Sequence, residues 1–454
     1  MTIHQVLADL PAGAAEAVLS QDFLPQLVET LGFDKHEYYP QFPTGTGHHK
    51  VDMAARKNTT EGDQFKQTKR NPFLIIELKG RDVNLEAGST AYRKTVQQVT
   101  GYLLEDNCRS VQWGIITNSI HIQLFRKHHK VVYPFTTCLE VTAEVIHAIR
   151  EIISKPPGAL IATMYNNKGG VGKTTTVINT AALLSLLSYK VLVVDFDPDQ
   201  QDLTKSLGVP IPERGIYQCL TEKKCDYSQV VKKCSYHLKK ANNEPFHTGF
   251  DIIPVDQALI ENREESIFSQ SDPKKLKRIL EGLKPHYDYI LIDSSPNWRF
   301  YSQSAIYAAD VVLLPTKHNN IFSIENAAIA ISTYIAQTQT ERQQYTAKLG
   351  QVAYEHGPVA LPIFWNGEQI SPAQKTKAEQ AMLQIIERVK KERKFDLSFY
   401  FFPLCSSANK DFTVFSIPSY ANVANAIFDK IPAVYRDKTA RGYYKNLIKE
   451  YFIQ

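Results

Sequence analysis

The densest chemistry in the chain is the stretch Asn166-Asn167-Lys168-Gly169-Gly170-Val171-Gly172-Lys173-Thr174-Thr175. Its glycines lie between an apolar run, 159–165, and a helical pattern beginning at Thr174. A glycine-rich turn in that setting lets backbone N–H groups converge on phosphate oxygens. Lys173 is placed to reach the β- and γ-phosphates as a point charge, and the Thr174 hydroxyl to ligate Mg2+. Two carboxylates follow at the ends of apolar runs, Asp197 after Val191-Leu-Val-Val-Asp195-Phe196 and Asp293 after Tyr287-Asp-Tyr-Ile-Leu-Ile292. In open α/β sheets ligands bind at the C-terminal ends of strands, where such side chains emerge. A separate set lies upstream: Asp52, Glu77 and Lys79. Residues two apart on a strand share a face, so Glu77 and Lys79 converge. Asp52 and Glu77 can share Mg2+ while Lys79 orients or deprotonates a water for attack on a phosphodiester.

These residues need two scaffolds. Lys155-Pro156-Pro157-Gly158 is the clearest break, because two prolines fix φ and forbid helix at the residue before them. The reading is therefore a first domain over 1–154, a linker over 155–158 and a second domain over 159–454. In the second, buried strands are expected at 159–165, 190–197, 251–255, 287–294 and 310–317, with a further strand at 397–404. Helices are expected at 174–188, 302–309, 419–430 and 439–452. Continuous apolar strands alternating with helices predict an α/β fold, a mostly parallel sheet covered by helices. The first domain reads as a smaller mixed α/β unit. It has a helix carrying Leu24, Leu27, Val28 and Leu31 on one face, strands at 50–56, 73–79, 112–117 and 121–126, and helices at 91–105 and 141–153.

The string Lys168-Gly-Gly-Val-Gly-Lys173-Thr-Thr175 resembles the deviant Walker A motif of the ParA/MinD family of P-loop ATPases. The resemblance spans 159–454 and implies ATP and Mg2+ as cofactors, bound by Lys168, Gly169, Gly170, Val171, Gly172, Lys173, Thr174 and Thr175. It also implies an ATP-dependent homodimer in which Lys168 reaches the partner subunit's nucleotide, adding charge much as an arginine finger does. Asp195-Phe-Asp197-Pro198 is similar to that family's D-x-D-P switch, which assigns the positioning of the attacking water to Asp197; Asp199 stands inserted before Gln200. Tyr287–Asp293 resembles Walker B, with Asp293 on the Mg2+ shell, though Ser295 replaces a usual proline. Ala308-Ala309-Asp310-Val-Val-Leu-Leu-Pro315 also matches the family's following strand.

The order of pieces in the first domain resembles the PD-(D/E)XK nuclease fold, especially the N-terminal domain of type I restriction enzyme R subunits. Leu31-Gly32-Phe33, Asp52 and Ile76-Glu77-Leu78-Lys79 carry the resemblance, with Gln98 and Tyr102 matching a Q-x-x-x-Y element over one helix face. It implies a Mg2+-dependent endodeoxyribonuclease site, its further acidic residue supplied by Glu16 or Glu29. A catalytically silent nuclease-like fold that only binds DNA or a partner is the alternative.

Composition is that of a soluble globular protein: 43% hydrophobic and 22% charged residues, with no apolar run of membrane-spanning length. Residues 1–157 hold 17 basic and 17 acidic side chains, leaving 35 against 30 in the remainder and a net charge of +5. Basic runs at 274–278, 388–394 and 436–449 are mostly solvated faces by type. By resemblance to ParA relatives the last two are candidates for DNA, in preference to a membrane. Six cysteines, without C-x-x-C spacing or a leader at 1–10, read as reduced thiols of a cytoplasmic protein; Cys219, Cys225, Cys234 and His237 fit no zinc pattern. The function expected is a ParA-type ATPase that positions plasmids, chromosomes or assemblies, assisted by a small adaptor protein, on the nucleoid or elsewhere in the cytoplasm. The alternatives are a defence or processing endonuclease gated by its ATPase, and a non-catalytic scaffold.

Overall fold

A computed structural model describes residues 2–60, 62–222, 225–239, 244–367, 369–406 and 409–454. The chain divides into two compact units. The first is 1–157 together with 341–357 and 452–454; the second is 158–340 with 358–451.

The first unit is built on a seven-stranded mixed sheet. Its path runs Tyr38–Pro43, Lys50–Ala55, Leu74–Leu78, Trp113–Thr117, His121–His128 and Val131–Pro134, with Leu139–Glu140 also pairing His121–His128. Leu74–Leu78 and Trp113–Thr117 are parallel, joined by the crossover helix Thr90–Leu104; the other pairs are antiparallel. Burial alternates by strand parity. Leu74, Ile76 and Leu78 join a core with the helices Leu24–Thr30 and Ala143–Ile153. Ile75 joins the opposite core with Val99 and Leu103 of the crossover helix. Period-2 side-chain direction thus covers the sheet on both faces.

The second unit has seven strands in the order Lys232–Lys239, Pro245–Ile253, Val191–Phe196, Tyr289–Ser294, Leu160–Met164, Val311–Leu313 and Val359–Ala360. All neighbours are parallel except the first pair, an antiparallel hairpin at the edge. Ile161, Leu192, Val194, Ile290 and Ile292 pack on helices Ile216–Thr221, Lys274–Leu283 and Phe300–Ala308. Helix Lys173–Leu186 packs on the same central strands. A three-stranded parallel sheet, Pro315–Thr316, Phe364–Asn366 and Ser416–Ile417, stands apart.

Two sequence expectations are corrected here. Residues 397–404 are not a strand: Asp396 accepts the Ser398 N–H at 2.9 Å and starts a helical turn, Ser398–Phe401, which Pro403 ends. The six cysteines are not all thiols. Cys219, in the last turn of a short helix, returns on Cys225 with Cα atoms 5.1 Å apart, and the two form a disulfide. Among the described residues no cluster of three or more potential metal ligands of the His, Cys, Asp and Glu types occurs, and no helix is long and apolar enough to cross a membrane.

Candidate functional site

In the second unit, three strand ends lie side by side. Met164 and Asp195 both pair with Asp293 across the parallel sheet. The chain leaves Met164 for the glycine loop, and the buried Asn166 fixes its shape. Asn166 Nδ2 donates to the carbonyls of Pro315 (3.0 Å) and Ser323 (2.9 Å), and its Oδ1 accepts the Lys168 N–H at 3.0 Å. Gly170 and Gly172 take left-handed φ of 73° and 82°, which glycine adopts without the Cβ penalty. A Cβ on Gly172 would also fall 2.5 Å from Asn366 Nδ2.

Asn366 was not among the sequence candidates. It ends the strand Phe364–Asn366 and its Nδ2 reaches the Val171 carbonyl (2.9 Å), the Gly172 carbonyl (3.3 Å) and Thr176 Oγ1 (3.0 Å). One amide therefore straps the end of the loop. The only sequence signal is an apolar Phe364-Trp365 pair followed by Asn366-Gly367.

Lys173 opens the helix and is nearly buried, with Nζ 3.4 Å from the Asn166 carbonyl. Burial lowers its pKa, opposed by the charges of Asp293, Asp197 and Asp202. Asp293, also buried, is pushed up to about 8, first by desolvation and then by the Asp195 charge; the Thr174 hydroxyl and Lys173 work the other way. Asp197 is raised by burial, against Lys173. Asp195 is committed internally, accepting from the Thr204 N–H (2.8 Å) and hydroxyl (2.6 Å), and burial pushes it up to about 6. One oxygen each of Asp293 and Asp197 is buried without a hydrogen-bond partner. Buried carboxylate oxygens in that condition are costly unless a cation or donor meets them, so the residues present suit a divalent cation. Thr174 and Thr175 are half-buried, Val171 is buried, Lys168 is half-buried, and Gly169 is exposed with open space around it.

In the first unit the sheet brings Asp52, Glu77 and Lys79 together. The Tyr38–Pro43/Lys50–Ala55 ladder pairs Pro40 with Met53 and Phe42 with Val51 but skips Gln41, whose φ is 50°, and Asp52. Such an interruption re-aims a side chain. Asp52 accepts from Gln41 Nε2 (3.0 Å) and from the Leu78 N–H (2.8 Å). Lys79 Nζ donates to Glu77 Oε1 at 2.5 Å, while Glu77 Oε2 is buried without a partner. Desolvation, then the Asp52 charge, pushes Glu77 up to about 7. Burial opposes the Lys79 charge, but Glu77, Glu16 and Asp52 together raise its pKa. Of the two helix acids considered, Glu16 joins this group: burial raises it, while Lys79 lowers it and Asp52 raises it. A Cβ on Gly80 would sit 3.1 Å from the Glu16 N, so glycine keeps that approach open. Glu29 instead bonds Gln26 and Tyr38. Gln98 donates to the Tyr102 hydroxyl at 2.9 Å.

Comparison with known proteins bears on one of these regions. A family model described as an AAA domain matches residues 159–347. The sporulation initiation inhibitor protein Soj of Bacillus subtilis is 36% identical over 160 residues, 35% of this chain and 58% of the relative. The chromosome-partitioning ATPase Soj of Treponema pallidum is 31% identical over 170 residues, 37% of this chain and 60% of the relative. The chain thus spans little more than half the length of these curated relatives. Among solved structures, a Cyanothece McdA–ATP complex superposes with a TM-score of 0.44 at 21% identity, covering 66% of this chain and 98% of that one.

Proposed function

We propose, from the premise that residues 159–347 carry an ATPase domain of the ParA/MinD family, that this protein binds and hydrolyses Mg-ATP as a homodimer and uses that cycle to partition or position DNA or a cargo borne on it. The supporting observation is the row of strand ends at which a buried Lys173 faces Asp293 and Asp197, each with an unsatisfied oxygen. The glycine loop binds the triphosphate through its N–H groups, and Lys173 neutralises the β/γ oxygens. Thr174 and Asp293 hold Mg2+, whose contribution when bound is to neutralise charge developing on the phosphates. Asp197 orients the attacking water. Lys168 serves the partner subunit's nucleotide.

DNA contact is assigned to the last helix, Lys438–Tyr451. Its Ala440, Tyr444, Leu447 and Ile448 are buried, while Lys438, Lys445 and Lys449 are exposed at spacings of one helical face. All three basic runs have paired members, Arg388 with Glu325, Lys390 with Asp396, Lys275 with the Glu222 carbonyl, Lys277 with Glu281 and Arg436 with Asp429, so the shared helical face is what favours the last helix. A buried apolar face also leaves this helix nothing to insert into a membrane. A cytoplasmic, nucleoid-associated place and a small stimulating adaptor complete the reading. Phosphate release from Mg-ATP tests it: Lys173→Ala should lower turnover by about a thousandfold, the scale of losing a preorganised charge contact. Unchanged turnover would refute the assignment.

The convergence of Glu16, Asp52, Glu77 and Lys79 supports a second activity in the first unit, Mg2+-dependent cleavage of DNA by a nuclease-like site. Asp52 and Glu77 would hold the metal, and Lys79 would orient the water. Plasmid nicking by the wild type, lost in Lys79→Ala, is the expected result. Absence of nicking in the wild type reduces this unit to a binding module and leaves the ATPase reading untouched.

A further inference from the structure

The edge hairpin of the second unit carries an arrangement that neither reading uses. Its antiparallel register sets His237 directly opposite His247, and the two imidazole centroids lie 4.4 Å apart with planes at 84°. Both residues are exposed, and no hydrogen bond or ion pair engages either ring among the described residues. Directly opposed residues have Cβ atoms about 5 Å apart, so the backbone alone holds the rings together.

We propose that His237 and His247 form a chelate for one borderline divalent cation, such as Zn2+, Ni2+ or Cu2+, with water in the remaining positions. Three observations carry it. Imidazole nitrogen suits these metals better than Mg2+ or Ca2+. A Zn–N bond of about 2.0–2.1 Å puts each ring centroid about 3.2 Å from the cation, hence two rings about 4.5–5.2 Å apart at a coordination angle of 90–110°; from the observed 4.4 Å this needs a slight opening and rotation of the exposed rings out of their edge-to-face packing. Finally, the neighbours of the pair on that face are Gly249, where a Cβ would lie 2.0 Å from the Cys234 carbonyl oxygen, and the small Ser235 opposite it, so no bulky side chain crowds the rings from that side. The site joins the edge strand Lys232–Lys239 to Pro245–Ile253, its one partner strand among the described residues, and a bound cation clamps that pairing.

Calorimetric titration of the full-length protein with Zn2+, and separately Ni2+, in EDTA-stripped buffer tests the proposal, alongside His237→Gln, His247→Gln and, as a control, His128→Gln/His129→Gln. The expected result is a binding event in the wild-type and control chains whose affinity falls at least about tenfold in either hairpin variant, the scale on which metal sites respond to losing a supporting group, above any uptake by the carboxylate sites common to all four proteins. A Zn2+-dependent rise in Tm should vanish in the same two variants. The proposal is overturned if the wild type takes up neither metal, or if both hairpin variants bind as tightly as the wild type. Equal far-ultraviolet circular dichroism of the variants without metal excludes misfolding as the cause of a loss.

Discussion

Two sites in this chain use nearly the same ingredients and were unequally visible in its sequence. Each sets a buried carboxylate beside a lysine near the end of a parallel strand, and each leaves a carboxylate oxygen unsatisfied: Asp293 and Asp197 in one, Glu77 in the other. They differ in how the lysine is treated. Burial lowers the pKa of Lys173, whereas the surrounding acids raise that of Lys79, which is already paired with Glu77. The first site is therefore short of an anionic partner large enough to engage a whole loop, which fits a polyphosphate. The second is an acid-rich cluster with an internal cation, which fits a lone metal and a water. On the proposed reading, similar residues would serve different chemistry because the backbone around them differs: a glycine loop in one place, a broken β-ladder in the other.

The largest expected effect separates the two. Asp293→Ala should abolish phosphate release, by about a thousandfold or more, and leave plasmid nicking unchanged, while Glu77→Ala should do the reverse. Loss of both activities in either variant would break the comparison. Next is a stability effect in metal-free protein. Glu77 is raised from 4.5 to about 7 in the fold, so the folded state retains a proton that the unfolded chain releases. Stability from this group is thus full below about pH 4.5 and declines as pH rises through about 7, by up to ~3 kcal/mol. Glu77→Gln should therefore stabilise the EDTA-treated protein at pH 8 and change little at pH 4.5, measured by urea unfolding. A pH-independent difference would show that burial does not govern this carboxyl.

Smaller in scale is Asn366→Ala, which removes the donor to the Val171 carbonyl, while the Gly172 carbonyl keeps the Thr176 N–H and hydroxyl. A loss of about 1–3 kcal/mol in Mg-ATP affinity and stability together is expected, since a buried acceptor is left unsatisfied. Titration calorimetry and thermal melts read it. The mildest test concerns the helix acid: Glu16→Gln should raise the Mg2+ concentration needed for nicking about tenfold, the scale of a supporting contact, and Glu29→Gln should not.

What was legible follows from locality. The glycine loop, Asp197 and Asp293 each sit in contiguous strings whose strand and helix context is local, so sequence pattern sufficed to single them out. Asn366 acts on the loop from nearly two hundred positions downstream, and the short Phe364-Trp365 pair before it is too slight a pattern to tie it to the loop. The choice of Glu16 over Glu29 needed the close approach at Gly80, a tertiary fact. Residues 397–404 misled because Phe399-Tyr400-Phe401-Phe402 reads as an aromatic strand, while Asp396 and Pro403 confine it to one turn. The hairpin strand Lys232–Lys239 alternates buried Cys234 and Tyr236 with exposed neighbours, a weak period-2 signal hidden by lysines. The long helix Pro372–Arg393 carried a clear start, Ser371-Pro372 with Gln374 completing a capping box, that an apolar-run criterion passes over.

Everything assigned to the second unit depends on the loop at 166–175 closing on the terminal phosphates of ATP. Titration of the purified protein with ATP and Mg2+ by calorimetry measures this directly. One nucleotide bound per chain, with binding lost in Lys173→Ala, is the expected result; a wild-type protein that gives no binding heat across several temperatures, and no thermal stabilisation by Mg-ATP, would contradict it.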